Sequence, residues 1–193
     1  MLDPINLIQT LGLVGVFSFV FAESGLFFGF FLPGDSLLFS AGLLSSIGYL
    51  PFWPLLAGSI ICAILGDSVG YLFGKKVGYR IFFKEKSFFF NKKYIDKTKA
   101  FYEKHGKKTI ILARFVPIVR TFAPILAGVG QMEYKTFIRY NVIGGFLWPI
   151  LMIVGGYFLG SLIPNVDQYL LPIIIAIIVI SFLPILKQVI FKK

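Results

Sequence analysis

Acidic residues, histidine and cysteine are all scarce in this chain: nine Asp and Glu, one His and one Cys in 193 residues. The lone Cys62 excludes an intrachain disulfide, and within an apolar run it reads as a small packed hydrophobe. The lone His105 lies in "YEKHGKK", a basic, solvated stretch. It cannot build a His-rich metal site or stand as a nucleophile beside buried arginines. No G-x-x-x-x-G-K-S/T phosphate loop is present. No catalytic residue, metal or cofactor is therefore expected, and the chain does not read as an enzyme. Charge of either sign is low, 15% of residues, where soluble domains carry about 25%. What fills the chain is apolar: 57% hydrophobic, 18% aromatic, with a mean hydropathy of +0.84. A soluble fold of this length could not enclose so much apolar surface. The composition is that of an all-α integral membrane protein.

The first ten residues, "MLDPINLIQT", lack the Lys or Arg of a signal peptide's positive region, so they read as the start of a first membrane segment. The net charge of +10 is concentrated. Residues 75–108 hold twelve Lys and Arg against Glu85, Asp96 and Glu103, a surplus of nine. In a membrane protein such a stretch marks a cytoplasmic loop, with contact to anionic lipid headgroups as a by-product. No nucleic-acid partner is expected. The aromatics of "KSFFFNKKY" suit an amphipathic stretch on the membrane surface.

A full crossing needs about 20 apolar residues. Segments 55–74, 136–163 and 169–186 meet or nearly meet that length. Residues 5–31 either cross once or form part of a first hairpin. Segments 33–50 and 109–130 are broken, by Pro33 and Gly34 in one and by Pro117, Pro124 and Gly128 in the other. Irregular backbone at membrane depth is tolerated only when buried in protein or lining a wet cavity. Both segments therefore read as re-entrant hairpins.

A shift of 86 residues lays Ala41-Gly42 on Ala127-Gly128, Gly58 on Gly144, and "GYLFG" (70–74) on "GYFLG" (156–160). Each unit reads as hairpin plus span, the first ending at the basic loop where the second begins. Two such units must run in opposite senses, an inverted repeat with additional N- and C-terminal membrane helices. The expected organisation is one multi-pass domain: repeat 1 at about 23–75, basic loop 75–108, repeat 2 at about 109–162, and a last helix at 169–191. Folds of this kind place a transport site at mid-depth between the repeats.

Five ionisable residues lie in apolar context: Glu23, Asp35, Asp67, Arg114 and Arg120. Each costs at least about 2.5–3.5 kcal/mol on insertion scales, so each should face a partner or a wet path. The repeat sets Asp35 and Arg120 beside matching prolines, so the two are expected to meet where the hairpin tips converge. An ion pair that only holds the hairpins together is the plainer alternative, and Arg139 reads as snorkelling to the interface. Arginine binds phosphate in a bidentate fork, whereas a carboxylate at low dielectric can exchange protons. Arg114 and Arg120 are the candidate phosphate-binding residues, and Glu23 and Asp35 the candidate proton-coupling pair.

"ESGLFFGFFLPGDSLLFSAGLL", "GDSVGYLFGKKVG", "ARFVPIVRTFAPILAGVGQM" and "YNVIGGFLWPILMIVGGYFLG" resemble, in that order, the motifs of the DedA family of bacterial inner-membrane proteins. That family is related to eukaryotic VTT-domain lipid scramblases. The resemblance covers roughly residues 15–162. It matches Glu23 and Asp35 to the family's acidic pair, with Asp where Glu is frequent, and Arg114 and Arg120 to its two arginines. It implies a multi-pass inner-membrane lipid transporter, translocating a polyprenyl phosphate such as undecaprenyl phosphate with coupling to protons. A proton-coupled exporter or ion transporter built on the same acids is the competing expectation, and a homo-oligomer is compatible with either.

Overall fold

The computed structural model describes residues 4–26, 34–78, 109–115, 117–163 and 172. Helix α1 is Pro4–Gly25, α2 Gly34–Ser46, α3 Phe52–Phe73, α4 Thr109–Ala113, α5 Pro117–Val129 and α6 Tyr134–Leu162. A π-helical turn, Gly74–Gly78, extends α3. No strand occurs among the described residues. Pro33, most of the basic loop (79–108) and the "PNVDQ" loop lie outside them. So does the C-terminal span, Pro172 apart.

Two of these helices are long and apolar enough to cross a membrane, Phe52–Val77 and Tyr134–Leu162. At 1.5 Å per residue they extend about 39 and 44 Å, more than a hydrocarbon core of about 30 Å. Helices α2 and α5 have 13 residues each, roughly 20 Å, and cannot cross. Both end alike. Gly48 turns left-handed (φ 81°) after α2, with Tyr49 N–H donating to the Leu44 carbonyl at 3.0 Å. Gln131 (φ 55°) does the same after α5, where Met132 N–H donates to the Ala127 carbonyl at 3.0 Å. These six-to-one bonds satisfy the last carbonyls of each helix without water. Upstream, α4 closes with Arg114 and Phe115 N–H donating three residues back, at 3.2 Å each. Pro117 then opens α5 at the position where a missing N–H costs least.

The chain forms two units: residues 1–19, 32–59 and 149–193 in the first, 20–31 and 60–148 in the second. Glycine sets the packing within each. In the first unit, a Cβ on Gly42 would collide with the Ile153 carbonyl, and one on Gly156 with the Phe39 carbonyl. In the second, Gly128 abuts the Tyr71 carbonyl and Gly74 the Ile125 carbonyl. Gly25 and Gly66 bring α1 equally close to α3, with a Cβ on Gly25 only 2.9 Å from the Gly66 oxygen. Small residues that let backbones touch are how helices associate in lipid, where apolar contact alone gives little drive. The 86-residue spacing recurs here, since Gly42 and Gly128 are repeat-mates, as are Phe39 and Ile125. Their registers differ, however. Phe39 packs on Gly156, whereas Ile125 packs on Gly74, whose repeat-mate is Gly160. The offset is four residues, one helical turn or about 6 Å.

Burial is inverted relative to a water-soluble protein. Glu23, Asp67, Arg114, Arg120, Thr121 and Asn141 are buried, while Trp53, Leu112, Phe158 and Leu162 are among the most exposed residues. Helix α5 shows this on a small scale, burying Arg120 and Thr121 and exposing Val119 and Leu126. Polar inside and apolar outside is the arrangement lipid demands.

Candidate functional site

The second unit gathers four of the five intramembrane charges. Helix α5 positions Arg120, and Pro124 stands four residues later within the same helix. Proline lacks the N–H that would bond the Arg120 carbonyl, so the helix is opened beside the arginine. The Arg120 guanidinium pairs with the Glu23 carboxylate from α1, with side chains only 8% and 2% exposed. It also stacks on the indole of Trp148 from α6, 4.7 Å from guanidinium carbon to ring centroid. A desolvated cation over tryptophan is worth about 2 kcal/mol.

Arg114 occupies the turn between α4 and α5 and is likewise buried. Its Nη2 pairs with the Asp67 carboxylate from α3 and donates to Asn141 Oδ1 at 2.7 Å and to the Ala63 carbonyl at 3.3 Å. Space for this side chain comes from Gly144-Gly145 on α6, where a Cβ on Gly145 would lie 3.0 Å from Arg114 Nη1. That Nη1 is buried and has no hydrogen-bond partner among the described residues. A buried donor left so costs roughly 1–3 kcal/mol, more when charged. The geometry is that of two buried cations, each paired with a carboxylate. Either carboxylate could be exchanged for another anion of similar reach.

Glu23, Arg114 and Arg120 come together in the second unit, while Asp35 stands in the first turn of α2, half-buried, in the first. Within the second unit, Glu23 is an acid on Arg120. Gly34 opens α2, and Gly128 packs on Tyr71. Arg139 is exposed and lines a groove of about 260 Å³ with Thr136, Tyr140 and Ile143. Three residues of the site escaped the candidate set. Asp67 was visible only as an unplaced charge, while Trp148 and Asn141 look like ordinary members of an apolar helix. The "GG" before "FLWP" was the one local sign that something large lies against α6.

The VTT domain model matches residues 32–158 of the chain. The chain is 49% identical over 180 residues to protein DedA of Escherichia coli K12, covering 92% of this chain and 82% of that protein. It is 46% identical over 165 residues to an uncharacterized membrane protein of Mycobacterium leprae, covering 86% of this chain and 73% of the relative. Inner membrane protein YghB of E. coli K12 is 34% identical over 154 residues, 80% of this chain and 70% of YghB. No solved structure matches. With two helices long and apolar enough to cross a membrane and these matches over most of its length, the chain is a membrane protein of the DedA family, built on the VTT domain.

Proposed function

We propose that this protein carries a polyprenyl phosphate lipid, with undecaprenyl phosphate as the expected substrate, across the bacterial inner membrane with coupling to protons. The observation that carries this reading is the pair of buried arginines in the second unit, each paired there with a buried carboxylate. Stability alone is a weak reason to keep such pairs, because well-packed apolar residues commonly do as well. Arginine is the side chain suited to a phosphate headgroup, and it keeps its charge in a dry site. A cation exporter would have no evident use for two buried cations.

In this proposal α2 and α5 are re-entrant half-helices of an inverted repeat, and the chain crosses the inner membrane several times. The lipid phosphate binds Arg114 and Arg120 and displaces their carboxylates, while the polyprenyl tail stays in the bilayer. Protons taken up by the acids, Glu23 and Asp35 among them, lower the cost of leaving carboxylates buried without a cation. Rocking of one repeat against the other then exposes the site to the opposite face. Reconstituted flipping of undecaprenyl phosphate, compared with that of a phosphatidyl lipid, tests the reading. Equal rates for both lipids, or none above empty vesicles, would favour the exporter.

A further inference from the structure

Asp67 ends a chain of polar side chains that begins at the surface. Tyr134, at the start of α6 and 41% exposed, donates its hydroxyl to Ser68 Oγ at 3.3 Å. Ser68 in turn lies 3.5 Å from Asn141 Nδ2, which also donates to the Ile64 carbonyl at 3.0 Å. Through Oδ1 the same amide accepts from Arg114, and Arg114 holds Asp67. Within a unit whose remaining interior is mostly apolar, these side chains from α3, α6 and the turn after α4 run from an exposed phenol to a buried acid. The outer end lies where α6 starts, near the Lys75 and Lys76 end of α3, since Tyr71 stacks on Phe137 and approaches Tyr134 at 5.4 Å between ring centroids.

We propose that Asp67 is the group that takes up and gives back the proton at the Arg114 site, and that Tyr134, Ser68 and Asn141 mark its route to the aqueous face. This deepens the carrier reading and rests on it for the role of Arg114. Among the described residues, the charges facing Asp67 are Arg114 from the turn after α4 and Arg120 from α5, the latter paired with Glu23 of α1. Helix α6 faces it with the uncharged Asn141. The charge balance is closed at each stage. With Asp67 ionised, the pair is neutral. A proton on an Asp67 oxygen makes it a carboxylic acid and leaves Arg114 a net cation. One negative charge on a phosphate then restores neutrality. Loss of the proton re-forms the pair and expels the anion. Because Arg120 has its own carboxylate, a phosphate monoester with nearly two negative charges can replace both acids, one proton for each. Ser68 accepts from Tyr134 and Asn141 while its own hydroxyl donates to the Ile64 carbonyl at 2.9 Å, so rotation of that hydroxyl is the step that passes a proton inward, and Asn141 anchors the inner end.

Infrared difference spectra of the full-length protein in lipid nanodiscs, recorded between acidic and alkaline pH, read the protonated carboxylic acid directly. A carbonyl signal is expected in wild type, with one component that is retained in Glu23→Gln and Asp35→Asn and lost in Asp67→Asn. Asp67→Glu, which keeps the acid should the asparagine variant fail to fold, is expected to move the band without abolishing it. After a pH jump the band should appear several-fold more slowly in Tyr134→Phe. A spectrum unchanged by Asp67→Glu overturns the assignment, and an unchanged rate in Tyr134→Phe overturns the route. The spectra need no transported lipid. An Asp67 band without flipping of undecaprenyl phosphate therefore refutes the carrier reading alone, and flipping with no Asp67 band refutes this inference alone.

Discussion

Arg114 and Asp67 meet in the interior of the second unit although 47 residues separate them in the chain. The second pair, Arg120 with Glu23, joins residues 97 apart. Each arginine is paired from a different helix, α3 in one case and α1 in the other, while Asp67 also feels the charge of Arg120. Removing one partner of such a pair strands the other, at about 3–5 kcal/mol. Replacing a carboxylate by another anion does not. That asymmetry is what makes the site suited to exchange.

Arg120→Lys tests the fork and the stack together. Lysine keeps the charge but offers neither planar bidentate donors nor a flat face for Trp148. Its effect on transport should approach that of Arg120→Ala. A lysine variant with wild-type activity would reduce Arg120 to a simple point charge.

Trp148 gives a graded version of the same test. Trp148→Phe should retain part of the contact, whereas Trp148→Leu should remove it and destabilise the folded protein by about 2 kcal/mol beyond the phenylalanine change. Thermal unfolding in detergent with and without the lipid measures both. Equal losses for Phe and Leu would mean that the indole only fills space.

The one-turn difference in register predicts unequal tolerance at two repeat-mates. Gly156→Ala drives a methyl into the Phe39 carbonyl, while a methyl at Gly70 finds its nearest atoms at an ordinary 3.6 Å. The first change should cost about 1–3 kcal/mol as overpacking, and the second should be near neutral or slightly stabilising. Unfolding midpoints of the two variants decide it, and equal destabilisation would contradict the described packing.

Topology follows from the charge asymmetry, at positions outside the described residues. In a Cys62→Ser background, Asn165→Cys should react with an impermeant maleimide on intact spheroplasts, and Lys93→Cys should not. The reverse labelling would turn the basic segment outward.

Much of this site was legible because lipid makes charge conspicuous. Glu23, Arg114 and Arg120 stand out in apolar runs, and the repeated GY-x-x-G marks Gly74 and Gly156, where backbones touch. The pairing was not legible. Hydropathy reports depth and not azimuth, so nothing local marked Glu23 as a partner of Arg120 or Asp67 as a partner of Arg114. Trp148 and Asn141 were hidden for a different reason. An indole or a single amide in a membrane helix is unremarkable until a cation is seen against it. Segment 109–130 was read as broken, and the structure interrupts it at Arg114 and Phe115 before Pro117 opens α5, while Pro124 is carried within that helix.

The central claim is that the two arginines carry a phosphate-headed lipid through the membrane. It is tested most directly with purified protein in vesicles holding labelled undecaprenyl phosphate, by following its movement between leaflets with and without an imposed proton gradient. The account predicts flipping that accelerates with the gradient, exceeds that of a phosphatidyl lipid, and falls to the empty-vesicle rate in Arg114→Ala and Arg120→Ala. Flipping that ignores both arginines, or is absent while protons still cross with another solute, would contradict it.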